Sequence, residues 1–133
     1  MSCSSYKNNI LFFTAFVILI VLGCQQDDET TRLLKEVESI NYSNVESPVV
    51  DKIKGLGEDV KEDPGSAEHW GKLAMNLYIH GFKPASVPLF KKAAALDEND
   101  FRWPYFCALV LNELGSDETV SWFEKSRKLN DLI

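Results

Sequence analysis

The sequence predicts an all-α fold, a short stack of antiparallel helical hairpins, and three observations lead to it. The first is an internal repeat. Around Gly81 the chain reads Trp70, Leu73, Ala74, Leu77, Gly81, then Phe90, Ala93 and Leu96. Around Gly115, one period on, it reads Pro104, Cys107, Ala108, Leu111, Gly115, then Phe123, Ser126 and Leu129, with one deletion shifting the second half. A fixed period of about 34 residues marks stacked helical hairpins, each of which buries its apolar face only against a neighbour. The second observation is spacing: apolar residues such as Ile53, Leu56 and Val60 recur at the interval of one helix face, and no strand is needed anywhere. The third is punctuation, because Pro48, Pro64-Gly65, Gly81 and Gly115 fall where helices should begin or end.

Residues 1–23 read as an address rather than as fold. Lys7 is the only charged side chain there, and an apolar run from Ile10 to Leu22 is broken only by Thr14. A spanning helix needs about 20 apolar residues, and this run is well short of that. Its length suits a signal-peptide core instead. The run ends in Val21-Leu22-Gly23-Cys24. That ending resembles a bacterial lipobox, with Leu22 and Val21 in less usual places. The resemblance implies cleavage before Cys24, lipid (palmitate among it) on its thiol, and several acyl chains. One chain alone would bind a membrane only marginally. The alternative is an uncleaved signal anchor. Gln25-Gln26-Asp27-Asp28-Glu29 begins abruptly after Cys24, as a solvated tether would.

From Thr31 to Ile40, Leu33, Leu34, Val37 and Ile40 have helical spacing, which predicts a short amphipathic helix. Asn41 to Asn44 breaks it, so residues 24–47 form a lipid-anchored tether with one helix, and 48–133 form the repeat domain. The next helix is expected over 49–62, with Pro48 in its first turn. Its Gly55 and Gly57 each cost up to about 1 kcal/mol relative to Ala. Ser66 is placed to cap a helix over 67–80, and Gly81 suits the left-handed position after it. The partner helix runs to Leu96, with Ser86 as cap so that Pro88 falls in its first turn. Asp100 caps the next helix and leaves Pro104 near the end of the first turn. Ser116 caps the last, with Asp117 and Glu118 in its first turn and Arg127 and Lys128 in its last, as the helix dipole favours.

The unit from Trp70 to Ala93 resembles a tetratricopeptide repeat. Trp70, Leu73, Ala74, Tyr78 and Gly81 stand at that family's first-helix positions, and Ala85, Phe90 and Ala93 stand on the second helix. Leu96-Asp97-Glu98-Asn99 is similar to the family's closing turn without its Pro, and Asp63-Pro64 holds the same place one period earlier. The second unit departs further, with Pro104 and Cys107 at the usual Trp and Leu places. The resemblance covers roughly 48–131 and implies about two and a half repeats. Asp63 to Leu73 is also similar to repeats of bacterial envelope assembly proteins, including those of cytochrome c maturation.

Composition narrows the function. There are 14 basic against 20 acidic residues, a net charge of −6, which disfavours nucleic acid and gives no attraction to anionic lipid. With Cys3 removed and Cys24 lipidated, Cys107 is alone and reads as a small core side chain. His69 and His80 stand about three turns apart on one helix. That is beyond the reach of one metal ion, and no ligand motif accompanies them. No phosphate loop and no Gly-x-Ser-x-Gly is present. The expected protein is not an enzyme and holds no metal or cofactor.

The resemblance implies a groove lined by first helices. Its positions fall on Glu68, Gly71, Met75, Tyr78 and Ile79, and on Arg102, Tyr105, Leu109, Asn112 and Glu113. Apolar anchors among a few charges suit a peptide or helix as ligand. The family's chaperone-tail clamp is not expected, since Gly71 and Met75 replace two of its polar residues. Alternatively the 31–40 helix fills this groove or caps one end of the array. Phe101, Trp103, Tyr105 and Phe106 surround their helix so completely that at least one must be exposed or at an interface. The expected role is therefore a membrane-tethered adaptor on the periplasmic or outer side of a bacterial envelope. The alternatives are a structural subunit that completes its core against another copy or a larger protein, and a haem-pathway chaperone.

Overall fold

The computed structural model describes residues 28–131; the expected signal segment, Cys24 and the start of the tether lie outside the described residues. By internal contacts the chain divides into Met1–Arg32 and Leu33–Ile133. Of the first unit only residues 28–32 are described, all helical. The second unit carries everything that follows.

Six helices and no strand occupy the described residues: α1 (28–38), α2 (Ser47–Glu62), α3 (Ala67–Ile79), α4 (Lys83–Leu96), α5 (Arg102–Glu113) and α6 (Thr119–Asn130). From α2 onward each helix packs on the next, and α3 also touches α5. Leu33, Leu34 and Val37 of α1 are buried in the same apolar cluster as Ile53, Leu56 and Val60 of α2. Lys61 of α2 bonds Glu38 of α1 at 3.0 Å. The half-repeat expected before Asp63 is thus a whole hairpin, and the helix expected over 31–40 is its first arm, not a filler of the groove. Stacking three hairpins meets the minimum for a continuous core.

That core runs through the predicted positions. Trp70, Leu73, Ala74 and Leu77 of α3, Phe90 and Ala93 of α4, and Cys107 and Val110 of α5 have no exposed surface. Burying a Leu or Phe side chain contributes about 1.5–3 kcal/mol. Trp70 also satisfies its polar edge, since its indole N–H donates to the Pro64 carbonyl at 2.9 Å. The loop after α1 is held down by Tyr42, whose ring meets Phe82 edge-on at 5.2 Å and whose hydroxyl donates to the Val37 carbonyl.

The two glycines end their helices identically. Gly81 has φ +89° and Gly115 φ +69°. At the first, the Phe82 N–H returns to the Leu77 carbonyl and the Gly81 N–H to Tyr78; at the second, Ser116 returns to Leu111 and Gly115 to Asn112. Both are Schellman ends, in which a left-handed residue satisfies two of the last carbonyls. Ser66 accepts from the His69 N–H as expected. Asp100, expected to cap α5, instead stands one residue before its N-cap Phe101 and accepts from the Arg102 N–H at 2.9 Å.

Two further expected starts are corrected. Helix α4 begins at Lys83, with Pro84 in its first turn and Pro88 inside the helix. Pro88 deprives only the Pro84 carbonyl of an N–H, and Pro84 is exposed, so water can replace that bond. Ser86, expected as the cap, is instead buried within the helix and donates to the Lys83 carbonyl at 2.8 Å. Helix α6 begins at Thr119, so Asp117 and Glu118 form the turn before it; the Ser116 hydroxyl accepts from the Glu118 N–H there.

The glycines differ in what a side chain would meet. A Cβ at Gly71 would lie 2.2 Å from the Trp103 ring, while at Gly55 and Gly81 it would meet nothing. Urea unfolding followed by circular dichroism should therefore rank three variants. Gly55→Ala should stabilise by up to about 1 kcal/mol through helix propensity. Gly81→Ala should destabilise by about 1–2 kcal/mol through its positive φ alone. Gly71→Ala should destabilise by about 1–3 kcal/mol through overpacking.

Candidate functional site

The first helices of the second and third hairpins, α3 and α5, lie side by side and carry the expected groove residues. Polar bridges between residues about one period apart tie the two ends of this face. At one end Arg102 Nη2 donates to Glu68 Oε2 at 3.0 Å and to Asp100 Oδ2 at 2.6 Å. At the other, the Tyr78 hydroxyl donates to Glu113 Oε1 at 2.5 Å, and Lys83 Nζ lies 2.7 Å from Glu113 Oε2.

The charges respond to these contacts. Hydrogen bonding from Arg102 holds the Asp100 carboxyl below its usual range, and Asp100 in turn holds the guanidinium charged more firmly than usual. Lys83 first, and Tyr78 second, lower Glu113, while Glu113 raises the Tyr78 phenol. Glu68, Arg102, Lys83 and Glu113 are solvated while Asp100 is mostly covered, so most of these bridges are screened and individually weak. Their consequence is registry, since they fix which turn of α3 faces which turn of α5.

Between the bridges Met75 and Leu109 are half-buried and Asn112 is exposed. Ile79 is 62% exposed, which makes it the most open apolar side chain of the face. Gly71 is buried beneath Trp103 and offers no lining. Tyr105 departs from the other expected residues. Its ring lies 6.0 Å from Phe123 of α6 and 5.6 Å from Phe106. With Phe101, Phe123, Ser126, Arg127 and Asn130 it lines a cleft of about 400 Å³ between α5 and α6.

This cleft was missed from sequence because Phe123 aligns with the core aromatic Phe90. Its signal was the belt of aromatic residues around α5. Trp103 is buried, Phe101 and Phe106 are half-buried, and Tyr105 is the exposed member at 42%. Trp122 is accounted for differently: Lys91 and Lys125 stand 5.7 and 5.1 Å from its ring centroid, and its indole N–H points to Glu118.

His69 is half-buried at the start of α3 and His80 exposed at its end. Among the described residues no group of three His, Cys, Asp or Glu could hold a metal ion, and no helix is long and apolar enough to cross a membrane. Cys107 has no exposed surface, and burial pushes its thiol up to about 12.

In-register hairpins, paired Schellman ends and a glycine seat for the next hairpin define a tetratricopeptide-like helical repeat. Among solved structures the chain is similar to two crystal structures of MamA, itself a helical repeat protein of this kind. One aligns with a TM-score of 0.59 at 24% identity, over 77% of this chain and 55% of that one. The other aligns with a TM-score of 0.58 at 23% identity, over 97% of this chain and 75% of that one. The chain thus spans about half the length of the first, and the likeness is one of fold. No family model and no curated protein matches it.

Buried and protonated, Cys107 should resist alkylation. Mass spectrometry of its peptide after iodoacetamide at pH 8 should show labelling at least about a hundredfold slower than in denaturant. The folded state holds this proton more tightly than the unfolded chain, whose thiol titrates near 9. Stability should therefore fall as pH rises from about 9 towards 12, and Cys107→Ala should flatten that part of the profile.

Proposed function

We propose that this protein is a non-catalytic protein–protein interaction module, tethered by lipid on Cys24 to the periplasmic or outer side of a bacterial membrane, where it acts as an adaptor in an envelope complex. The observation that carries the reading is the α3–α5 face. Met75, Ile79 and Leu109 present apolar surface there between two polar bridges that hold the helices in register. A face ordered before binding loses less entropy when a peptide or helix docks. The chain's net charge of −6 supports a protein partner over nucleic acid. The tether rests on the short apolar run from Ile10 and on Leu22-Gly23-Cys24 alone.

Two experiments test this. Capture of a partner from solubilised membranes, with the lipidated protein as bait, should fail for an Ile79→Asp/Leu109→Ser variant whose helicity and melting are unchanged. Equal capture by both would remove function from this face. Separately, Cys24→Ser should move the protein from the membrane to the soluble fraction and abolish incorporation of labelled palmitate. Retention at the membrane would favour an uncleaved anchor.

A further inference from the structure

The first hairpin holds an opening of its own. Residues of α1, of the loop after it and of α2 enclose a groove of about 340 Å³. Its floor is made by Leu34, Val37 and Ile53, buried side chains of the core, so the groove reaches the apolar cluster itself. Val50 and Tyr42 extend the apolar wall, and the Tyr42 hydroxyl is spent on the Val37 carbonyl. An apolar space of about 300–1,000 Å³ with a few polar groups is typical of a small-molecule site, and such sites occur between helices. Gly57 lines this groove from the interior of α2, where a glycine weakens the helix. Unlike Gly71, it is not required by the chain's own packing, since a Cβ there would meet no atom within 4 Å. What its missing side chain leaves is open groove.

Charge narrows the occupant further. Glu38, Lys54, Glu58 and Lys61 stand at the rim of the groove. Lys61 lies 3.0 Å from Glu38 and 2.9 Å from Glu58, so both acids are engaged. Lys54 is exposed and has no hydrogen bond or ion pair among the described residues. The floor offers no side-chain donor or acceptor to a polar body. An apolar floor beside an uncommitted ammonium group therefore fits an aliphatic body with a single anionic head. A cationic head would face that ammonium, and the carboxylates that could receive it are already held by Lys61.

We infer that the α1–α2 groove is a binding site for a small anionic amphiphile of the medium-chain alkyl carboxylate class. The chain lies on the floor beside Gly57, and the head meets Lys54. This goes beyond the interaction-module reading and uses none of the residues of the α3–α5 face.

The test is equilibrium dialysis with the full chain in phosphatidylcholine nanodiscs, empty nanodiscs serving as the reference for partition into lipid. The probes are octanoate, octanol and octyltrimethylammonium, which share a chain and differ in the charge of the head. Octanoate should bind about threefold or more tighter than octanol, and octyltrimethylammonium more weakly than either. Lys54→Gln should bring octanoate to the affinity of octanol, and Lys54→Glu should reverse the order of the two ions. Gly57→Leu should weaken octanoate binding about tenfold or more by filling the groove. Gly55→Leu makes the same change at an exposed position of α2 that does not line the groove, and it should leave binding as it was. Leucine favours a helix at both positions, so helicity should not fall in either variant. No uptake above empty nanodiscs overturns the site. So does equal affinity for the three probes, or octanoate binding that survives Gly57→Leu. A photoreactive side chain at position 57 that cross-links to residues before 28 of the same chain overturns it as well, since the chain then fills its own groove. A protein captured from membranes and lost with Gly57→Leu, with no probe bound, overturns the ligand but leaves the interaction-module reading standing. Octanoate binding that meets these expectations, with no partner captured, supports the site and counts against the adaptor reading.

Discussion

The stack depends on the absence of a side chain at Gly71. A Cβ there would come within 2.2 Å of Trp103, so only glycine lets that ring lie against the α3 backbone. Once α5 is seated this closely, the remaining contacts between the second and third hairpins fall into reach. Phe106 stacks on Phe90, Arg102 meets Glu68, and Tyr78 meets Glu113. None of the polar contacts is worth much by itself at such exposure. They come as a set because one apolar contact brings the two helices close enough for all of them, and the bridges then hold the register.

Contacts of similar strength order the second helices. Lys91 on α4 bonds Glu118 at 2.7 Å, just before α6, and stands over the Trp122 ring. Ser126, buried on α6, donates to the Phe101 carbonyl at 3.1 Å, so the last hairpin closes by a backbone contact where its predecessor has Ala93. The result is a third hairpin less apolar than the second. Ser126 is the buried residue of α6, whereas α4 buries Ser86, Leu89, Phe90, Ala93 and Ala94, and that difference leaves the α5–α6 cleft open.

A repeat protein of this kind can use two kinds of surface. One is the side-by-side face of first helices, which exists only because neighbouring units are in register. The other is the cleft between the two helices of a single hairpin. Here the two differ in chemistry: the α3–α5 face is half-buried apolar surface between paired charges, and the α5–α6 cleft is aromatic, with Arg127, itself paired to Asp131, in its lining.

Much of the fold was legible in the chain. The period implied the hairpins, the core positions Trp70, Leu73, Phe90 and Cys107 are buried as their spacing requires, and both turn glycines take the positive φ that ends a helix. Such features are local or periodic, so each follows from the chemistry of a few neighbouring residues. The start of α4 was not legible, because whether Pro88 can lie inside a helix depends on solvent reaching the Pro84 carbonyl. The place of Tyr105 was not legible either. Periodicity puts it on one face of α5, but the packing of α6 decides that its ring meets Phe123. Gly71 marks the division most plainly. The order of residues alone puts a position without a side chain on the first helix of its unit. That Trp103, on the next hairpin, is what requires it follows from the packing. Contact across that separation depends on how two hairpins stack, and no local preference encodes it.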